Sequence, residues 1–472
     1  MTSINLQNVD PVVKPVKQIF FAARQAIRNR TNGGNVLIAA TVLALIVANI
    51  PVLNPLYNEL WEQEVSLQIG SFNLFSHHGE PMNLMQFIND ALMAIFFFSI
   101  GLEIKREVLV GELSSIRQCL LSVLAAIGGM IVPVLIFMYL AQDTHYIGGA
   151  AIPMATDIAF SLGVLSLLGK RVPLSLKIFL TTLAVVDDIG GIIVIAIFYT
   201  ESIDTSLLVY SLGLLILLFL GMRMKIQSKL YYIALGIGVW FLFLNSGIHP
   251  TIAGVLVAFC IPATPVSNPK KYIRDIRQAL GHFPEDETDD GTHAYVLSAQ
   301  QMDKLKQVQA AGSKVISPLQ DLEDTLHPIV DYIVLPLFAF ANAGIYFADM
   351  QLHEVWEGVS LAIICGLVIG KMAGIFIFSA IAILCKIAPM PDNTNWRMLA
   401  SISMLGGIGF TVSLFIANLS FGSMGTAEGL ELLRHSKLGI LSGSVIAGIL
   451  GFLLLKISLP KPGAAVYIDE EQ

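Results

Sequence analysis

Asp187 and Asp188 stand side by side in Val186-Asp187-Asp188-Ile189-Gly190, near the middle of a long apolar run. Adjacent residues on a helix point about 100° apart, so the pair cannot both face lipid. Both are expected to face a cavity or the protein interior. Two carboxylates close together in low dielectric repel, which favours a proton on one of them. Deprotonated, the same oxygens are hard ligands for a small hard cation. Proton and cation would then compete for one site, the minimal requirement for exchange. The alternative is a structural pair held by hydroxyls or salt bridges, and two adjacent acids at mid-span are a costly way to build one.

Other charges share this setting. Asp90, Glu103, Asp157 and Lys371 lie inside or at the edge of apolar runs. Each such charge costs about 2.5–3.5 kcal/mol at the bilayer centre even on insertion scales. Asp157 sits in Ala155-Thr156-Asp157-Ile158-Ala159-Phe160, shortly after Pro153, in a run that begins with Gly148 and Gly149. Proline removes a backbone donor and disfavours helix before it. A helix broken here exposes backbone at membrane depth, which is tolerated only around a cavity or inside protein. Thr156 adds a hydroxyl oxygen. Leu405-Gly406-Gly407-Ile408-Gly409-Phe410 predicts a second break, with close helix packing as its alternative. Lys371 follows Gly370 in Val368-Ile369-Gly370-Lys371. Pairing with Asp187 or Asp188 would keep it charged. It could also balance the C-terminal ends of broken half-helices, as Asp157 would balance their N-terminal ends.

The elements that must hold these residues follow from composition. Of 472 residues, 55% are hydrophobic and 13% charged, against about 25% charged in a soluble domain. So few charges exclude an ordinary soluble enzyme, a disordered chain and a disulfide-stapled secreted domain. The net charge of −7 gives no support to nucleic-acid binding. Cys119, Cys260, Cys365 and Cys385 lie in apolar stretches without CxxC spacing and read as packing residues. Twelve windows are long and apolar enough to span: 35–53, 84–104, 118–141, 147–169, 174–199, 205–222, 229–246, 248–263, 327–348, 357–385, 398–420 and 436–457. The two breaks fall in windows four and eleven. Interrupted helices in corresponding positions of two halves point to a transporter with inverted repeats, here windows three to five and ten to twelve.

With twelve spans, 25 of the 28 basic residues fall on one side; Arg434 and Lys437 are on the other and Lys371 is within a span. This asymmetry predicts cytoplasmic termini. The chain then divides into a tail 1–34, spans 35–263 with an external loop at 54–83, an extended cytoplasmic loop 264–326, spans 327–457 and a tail 458–472. Val65 to Phe75 alternates apolar and polar residues about Gly70-Ser71, which predicts a small external β-hairpin whose edge could pair with a second subunit, or else an irregular loop. In the cytoplasmic loop, Tyr272, Ile273, Ile276 and Leu280 recur among basic residues, as in a helix lying on the inner leaflet. The acidic linker Glu285 to Asp290 and a second helical stretch at 296–310 follow.

The strings at 155–160 and 186–190, with Leu176-Lys177-Ile178-Phe179-Leu180, Gly101-Leu102-Glu103-Ile104-Lys105-Arg106-Glu107, Gly407-Ile408-Gly409-Phe410-Thr411 and Leu335-Pro336-Leu337-Phe338-Ala339-Phe340-Ala341-Asn342-Ala343-Gly344, resemble the NhaA family of bacterial sodium/proton antiporters. The likeness runs from about 35 to 457, and inverted repeats with interrupted helices are known from this family itself. The resemblance implies an all-α polytopic membrane protein of twelve helices, with helices four and eleven unwound and crossing at mid-membrane. It implies that Asp187 and Asp188 carry Na+ or Li+ and protons, with Asp188 the direct ligand. Thr156 and Asp157 would line the site, and Lys371 would pair with Asp187 in the cation-free state. It further implies a homodimer through the hairpin, a place in the bacterial inner membrane, activation as cytoplasmic pH rises, and a pH-sensing group at Glu103, Arg106, Glu107, Glu323 and His327. Thr181 would tune the pH response, and His249 matches a family histidine. No cofactor is implied. The sequence departs from better-known members at Asp324, where they carry a second histidine, and in its longer 264–320 segment.

Three other activities remain to be distinguished. A sodium-coupled solute symporter would need a larger cavity and no titrating lysine–carboxylate pair. An intramembrane aspartyl protease needs aspartates facing each other across helices, and no GxGD string occurs. A passive channel would conduct without saturating at carrier rates.

Overall fold

The computed structural model describes residues 33–70, 72–77, 79–114, 116–142, 144–200, 204–264, 302–308, 315–347 and 352–460, with four further positions between 272 and 277. The inner-leaflet helix at 270–280, the acidic linker and both tails expected from the sequence lie outside, or almost wholly outside, the described residues. Of the stretch at 296–310, residues 302–308 are described and helical.

The chain is helical nearly throughout. In order the helices are α1 (Gly33–Asn49), α2 (Asn54–Glu62), α3 (Leu84–Val110), α4 (Ile116–Leu140), α5 (Ile158–Ser166), α6 (Leu174–Phe198), α7 (Thr205–Arg223), α8 (Lys229–Ser246), α9 (Pro250–Phe259), α10 (Pro318–Asn342), α11 (Gly358–Leu384), α12 (Trp396–Leu405), α13 (Phe410–Phe421) and α14 (Ala427–Ser458). Among the described residues, eight helices are long and apolar enough to cross a membrane, or eleven if each of three bent pairs is one span. Apolar side chains such as Val42, Ile46, Leu212 and Ile449 are exposed along these helices, as expected where lipid is the solvent. α9 falls in the eighth window and is shorter than a span.

Small residues bring the helices together. A Cβ on Gly374 of α11 would strike the carbonyl of Gly128 on α4, and one on Gly101 of α3 would lie 2.7 Å from Ala258 Cβ on α9. Such contacts are how membrane helices associate without a hydrophobic driving force between them.

Several boundaries move from their sequence positions. α3 runs to Val110, so Lys105 and Arg106 lie on the helix rather than in the following connection. Lys105 Nζ caps the end of α9 by donating to the Phe259 carbonyl at 2.7 Å and also to that of Ile261. α10 starts at Pro318 and α14 at Ala427, which places Arg434 and Lys437 on α14. Hydropathy windows stop where charges begin, whereas helices continue past the hydrocarbon. Pro328 does not end α10; the helix loosens into a π segment at Val330–Val334 instead.

The alternation at 65–75 does give a hairpin. β1 (Glu64–Val65) precedes β2 (Gln68–Ile69), which pairs antiparallel with β3 (Phe72–Asn73) around Gly70, whose φ is +64°. The structure adds β4 (Ser76–His77) and β5 (Glu80–Asn83), with β5 paired to both β1 and β4. Asn83 then caps α3 in a reciprocal capping box with Gln86.

Two of the bent pairs occupy the windows where breaks were expected. The turns of 146–154 meet α5 at 41°, and α12 meets the continuation from α13 at 44°. The third, α1 with α2, bends by 113° and tucks Tyr57 and Trp61 of α2 into the core.

Candidate functional site

The two breaks meet and satisfy each other. Extended backbone at 155–157 leaves the Asp157 N–H free to donate to the Ile408 carbonyl at 2.6 Å. Ser161 Oγ donates to the Leu405 carbonyl at the end of α12, 3.1 Å away, and Ser413 Oγ donates to the Ile152 carbonyl at 2.6 Å. Backbone groups that the breaks would orphan thus find partners in the opposite break. Glycine permits the approach: a Cβ on Gly409 would lie 2.7 Å from the Ala155 carbonyl, and one on Gly407 would strike that of Leu367.

Asp157 sits where two half-helices begin. Its Oδ1 accepts from the Phe160 N–H at 2.9 Å, as the N-cap of α5. Its Oδ2 accepts from the Thr411 N–H at 3.0 Å and the Thr411 hydroxyl at 2.7 Å, in the first turn of α13. One carboxylate therefore balances two positive helix ends, as the sequence suggested.

Asp187, Asp188 and Lys371 are all buried, at 1%, 5% and 0% exposure. Lys371 follows a π segment, Gly366–Gly370, that re-aims the side chain after it. Its ammonium pairs with Asp187 Oδ2. Of the two partners left open for Lys371 by position alone, the structure therefore gives Asp187. Thr156 Oγ1 lies 2.6 Å from the same Asp187 oxygen and 2.8 Å from the Gly406 carbonyl, so its single proton serves one of the two at a time. Asp188 has no hydrogen-bond or ion-pair partner among the described residues and forms part of a cavity wall instead.

That cavity measures about 490 Å³. Thr156, Asp157, Asp188 and Thr411 line its inner part, with Thr181 on the wall. Glu103 of α3 and His327 and Asp331 of α10 also line it. His327 Nδ1 lies 3.1 Å from Asp331 Oδ2. The five residues of the expected pH-sensing group all come from α3 and α10. Arg106 pairs with Glu107 at 2.9 Å and with Glu323 at 3.0 Å. Asp324 lines a separate pocket with Arg106 and Glu323. His249 is not in the cavity wall; its Nδ1 is 2.8 Å from Thr251 Oγ1 and its Nε2 is 3.8 Å from Asp90.

Two site residues were not singled out from the sequence. Thr411 follows directly on the Gly-rich break, where an N-terminal hydroxyl is informative only once Asp157 is known to face it. Asp331 carried one signal: it stands one helical turn after His327, in a run otherwise apolar.

The charges where the two breaks meet are unequal in status. Asp187 is neutralised by Lys371, and Asp157 is held by helix ends and a hydroxyl. Asp188 presents its oxygens to the cavity with no hydrogen-bond or ion-pair partner among the described residues. A buried carboxylate in that position is satisfied by a proton or by a cation, and the geometry leaves room for either.

Comparison with known proteins gives the family. The sequence model of the family described as Na+/H+ antiporter 1 matches residues 24–455. A protein of Phocaeicola vulgatus named Na(+)/H(+) antiporter NhaA is 52% identical over 445 residues, covering 94% of this chain and 97% of its own length. Likewise named are proteins of Bacteroides fragilis, 52% identical over 90% of this chain and 95% of its own, and of Helicobacter pylori, 43% identical over 94% and 97%. The chain belongs to the Na+/H+ antiporter family, a family of multi-pass membrane transporters rather than enzymes.

Proposed function

We propose that the protein exports Na+, or Li+, in exchange for H+ by alternating access around Asp188, and so serves sodium and pH homeostasis. The observation that carries this reading is the unpartnered Asp188 carboxylate in the cavity wall, one residue from the Asp187–Lys371 pair. A cation that passes the rim and reaches Asp188 displaces its proton. The Lys371 ammonium competes with the cation for Asp187. When the cation binds, Lys371 can release a proton and Asp187 becomes a second hard ligand, with Thr156 supplying a neutral oxygen. The carrier then turns to the other side, releases the cation and returns protonated. If two protons return per Na+, exchange moves net charge, worth about 2.3 kcal/mol per 100 mV.

Eleven spans with α9 as a twelfth would place both termini on the cytoplasmic side of the inner membrane, in line with the basic asymmetry. Sets α4–α6 and α11–α14 each hold one broken helix between two continuous ones, as inverted repeats require. The cavity that holds Glu103 and His327 would open to the cytoplasm. Its ionisable rim, joined by the Arg106 pairs, would couple exchange to cytoplasmic pH, with activity rising toward alkaline pH. The β2–β3 hairpin would join two copies.

The test is Na+-induced collapse of a preformed pH gradient in everted vesicles from pH 6.5 to 9. Na+ and Li+ are expected to release protons and K+ is not. Asp188→Asn is expected to abolish the response while the protein remains in the membrane. A full response in that variant would move the site elsewhere, and solute uptake without proton movement would put the symporter first.

A further inference from the structure

The cavity is closed at one end, and the closure is layered. On three helices its lining reaches Phe96, Leu335 and Val412. Beside Phe96, and one turn beyond Leu335 and Val412, stands a buried phenylalanine: Phe97 of α3, Phe338 of α10 and Phe415 of α13. The Phe415 ring centre lies 5.6 Å from that of Phe97 and 6.4 Å from that of Phe338. Beyond this plug, Asn418 Nδ2 of α13 donates to Asn342 Oδ1 of α10 at 2.8 Å, and Asn342 Nδ2 donates to Asn89 Oδ1 of α3 at 3.0 Å.

The ladder has a fixed direction. Asn342 is 0% exposed, and its Nδ2 also donates to the Phe338 carbonyl at 3.0 Å. That bond sets the amide's orientation, so its oxygen must face Asn418. Asn418 Nδ2 in turn donates to the Leu414 carbonyl at 2.8 Å. The rung from Asn418 to Asn342 ties the half-helix that begins at the cation site to α10, which carries His327 and Asp331. His327 and Asn342 are fifteen residues apart, about 22 Å along the helix. One helix therefore lines the cavity at His327 and Asp331 and carries the ladder at Asn342.

We infer that the Asn89–Asn342–Asn418 ladder is a latch that keeps the external side closed while the cation site is open to the cytoplasm, and that Asn418 is a positioning residue for the exchange. The inference rests on the alternating-access reading above. An amide ladder suits this role. Each rung is directional, and each net hydrogen bond contributes only about 0.5–1.5 kcal/mol, so the closed state is favoured without being locked.

Ala417 neighbours Asn418 beyond the plug and is 0% exposed, which makes it a reporter. With Cys119, Cys260, Cys365 and Cys385 replaced by Ser, Ala417→Cys is labelled by a membrane-impermeant maleimide applied from outside. Adding Asn418→Leu is expected to raise the labelling rate about fivefold and to raise the apparent Na+ KM at the cytoplasmic side, because fewer carriers face inward. A residue that merely stabilised the fold would lower the melting temperature without this side-specific change. Labelling and KM within twofold of the parent, with exchange intact, would overturn the latch. Should Asn418→Leu fail to reach the membrane, Asn89→Ala breaks the other rung, and unchanged labelling there would overturn it equally. Absence of exchange in the unsubstituted parent would refute the transport reading and the latch with it, whereas unchanged labelling beside intact exchange refutes the latch alone.

Discussion

Lys371 and Asp187 hold each other at a depth where neither could stay charged alone. Removing one member of a buried pair costs about 3–5 kcal/mol because the other is left uncompensated. Lys371→Met is therefore expected to lower the melting temperature markedly, and Lys371→Met with Asp187→Asn together to recover most of the loss. Comparable melting of the single and double variants would show that the pair does not matter to stability. Asp157 lies in a different balance. It is engaged by Phe160, Thr411 and two helix ends, so it serves the crossing before it serves the ion. Asp188 is the residue left over, and that is why it is assigned the cargo. The sequence could rank these acids by depth but not by partner. Depth is written in the surrounding apolar run, whereas partners such as Lys371 for Asp187 and Thr411 for Asp157 lie 184 and 254 positions away.

At the scale of elements, the breaks were legible because their causes are local. Pro153 removes a backbone donor, and the glycines clustered at 406, 407 and 409 each weaken helix, so the sequence itself marks both places. What each break touches was not legible, since the Asp157–Ile408 and Thr156–Gly406 contacts depend on how two distant helices cross. The three π segments were missed for the same reason: they answer to packing, as where Gly370 lies against Pro133, rather than to a sequence signature. The crossing makes a sharp demand on glycine. In Gly407→Ala the new methyl would meet the Leu367 carbonyl and, at 3.1 Å, that of Met404. Backbone cannot yield there without moving the Thr156–Gly406 contact, so exchange is expected to fall by roughly 10²-fold in a protein that still inserts. Near-normal turnover would mean that the crossing tolerates displacement.

For the whole molecule, composition alone required a membrane, and the exposed apolar helix faces agree. The polar ends of α10 and α14 were cut short in the sequence reading because a hydropathy window measures bilayer thickness, not helix length. The small sheet was half legible. Alternation at 65–75 revealed β2 and β3, but β5 contains Pro81 and Asn83 and carries no strand signature of its own. The proposed dimer uses the open edges of the β2–β3 ribbon, so the intact protein is expected to run as a dimer in detergent and a variant with 68–73 shortened to a Gly-Gly link as a monomer, read by light scattering. Dimers that persist would place the subunit contact elsewhere.

The central claim is that one buried carboxylate is contested by a proton and a cation. Calorimetry of Na+ binding to the purified protein, repeated in buffers of different ionisation enthalpy, reads this competition directly. Protons are expected to leave as Na+ binds, and both the heat and the release are expected to vanish in Asp188→Asn. Na+ binding with no proton released, or release that survives in Asp188→Asn, would contradict the account.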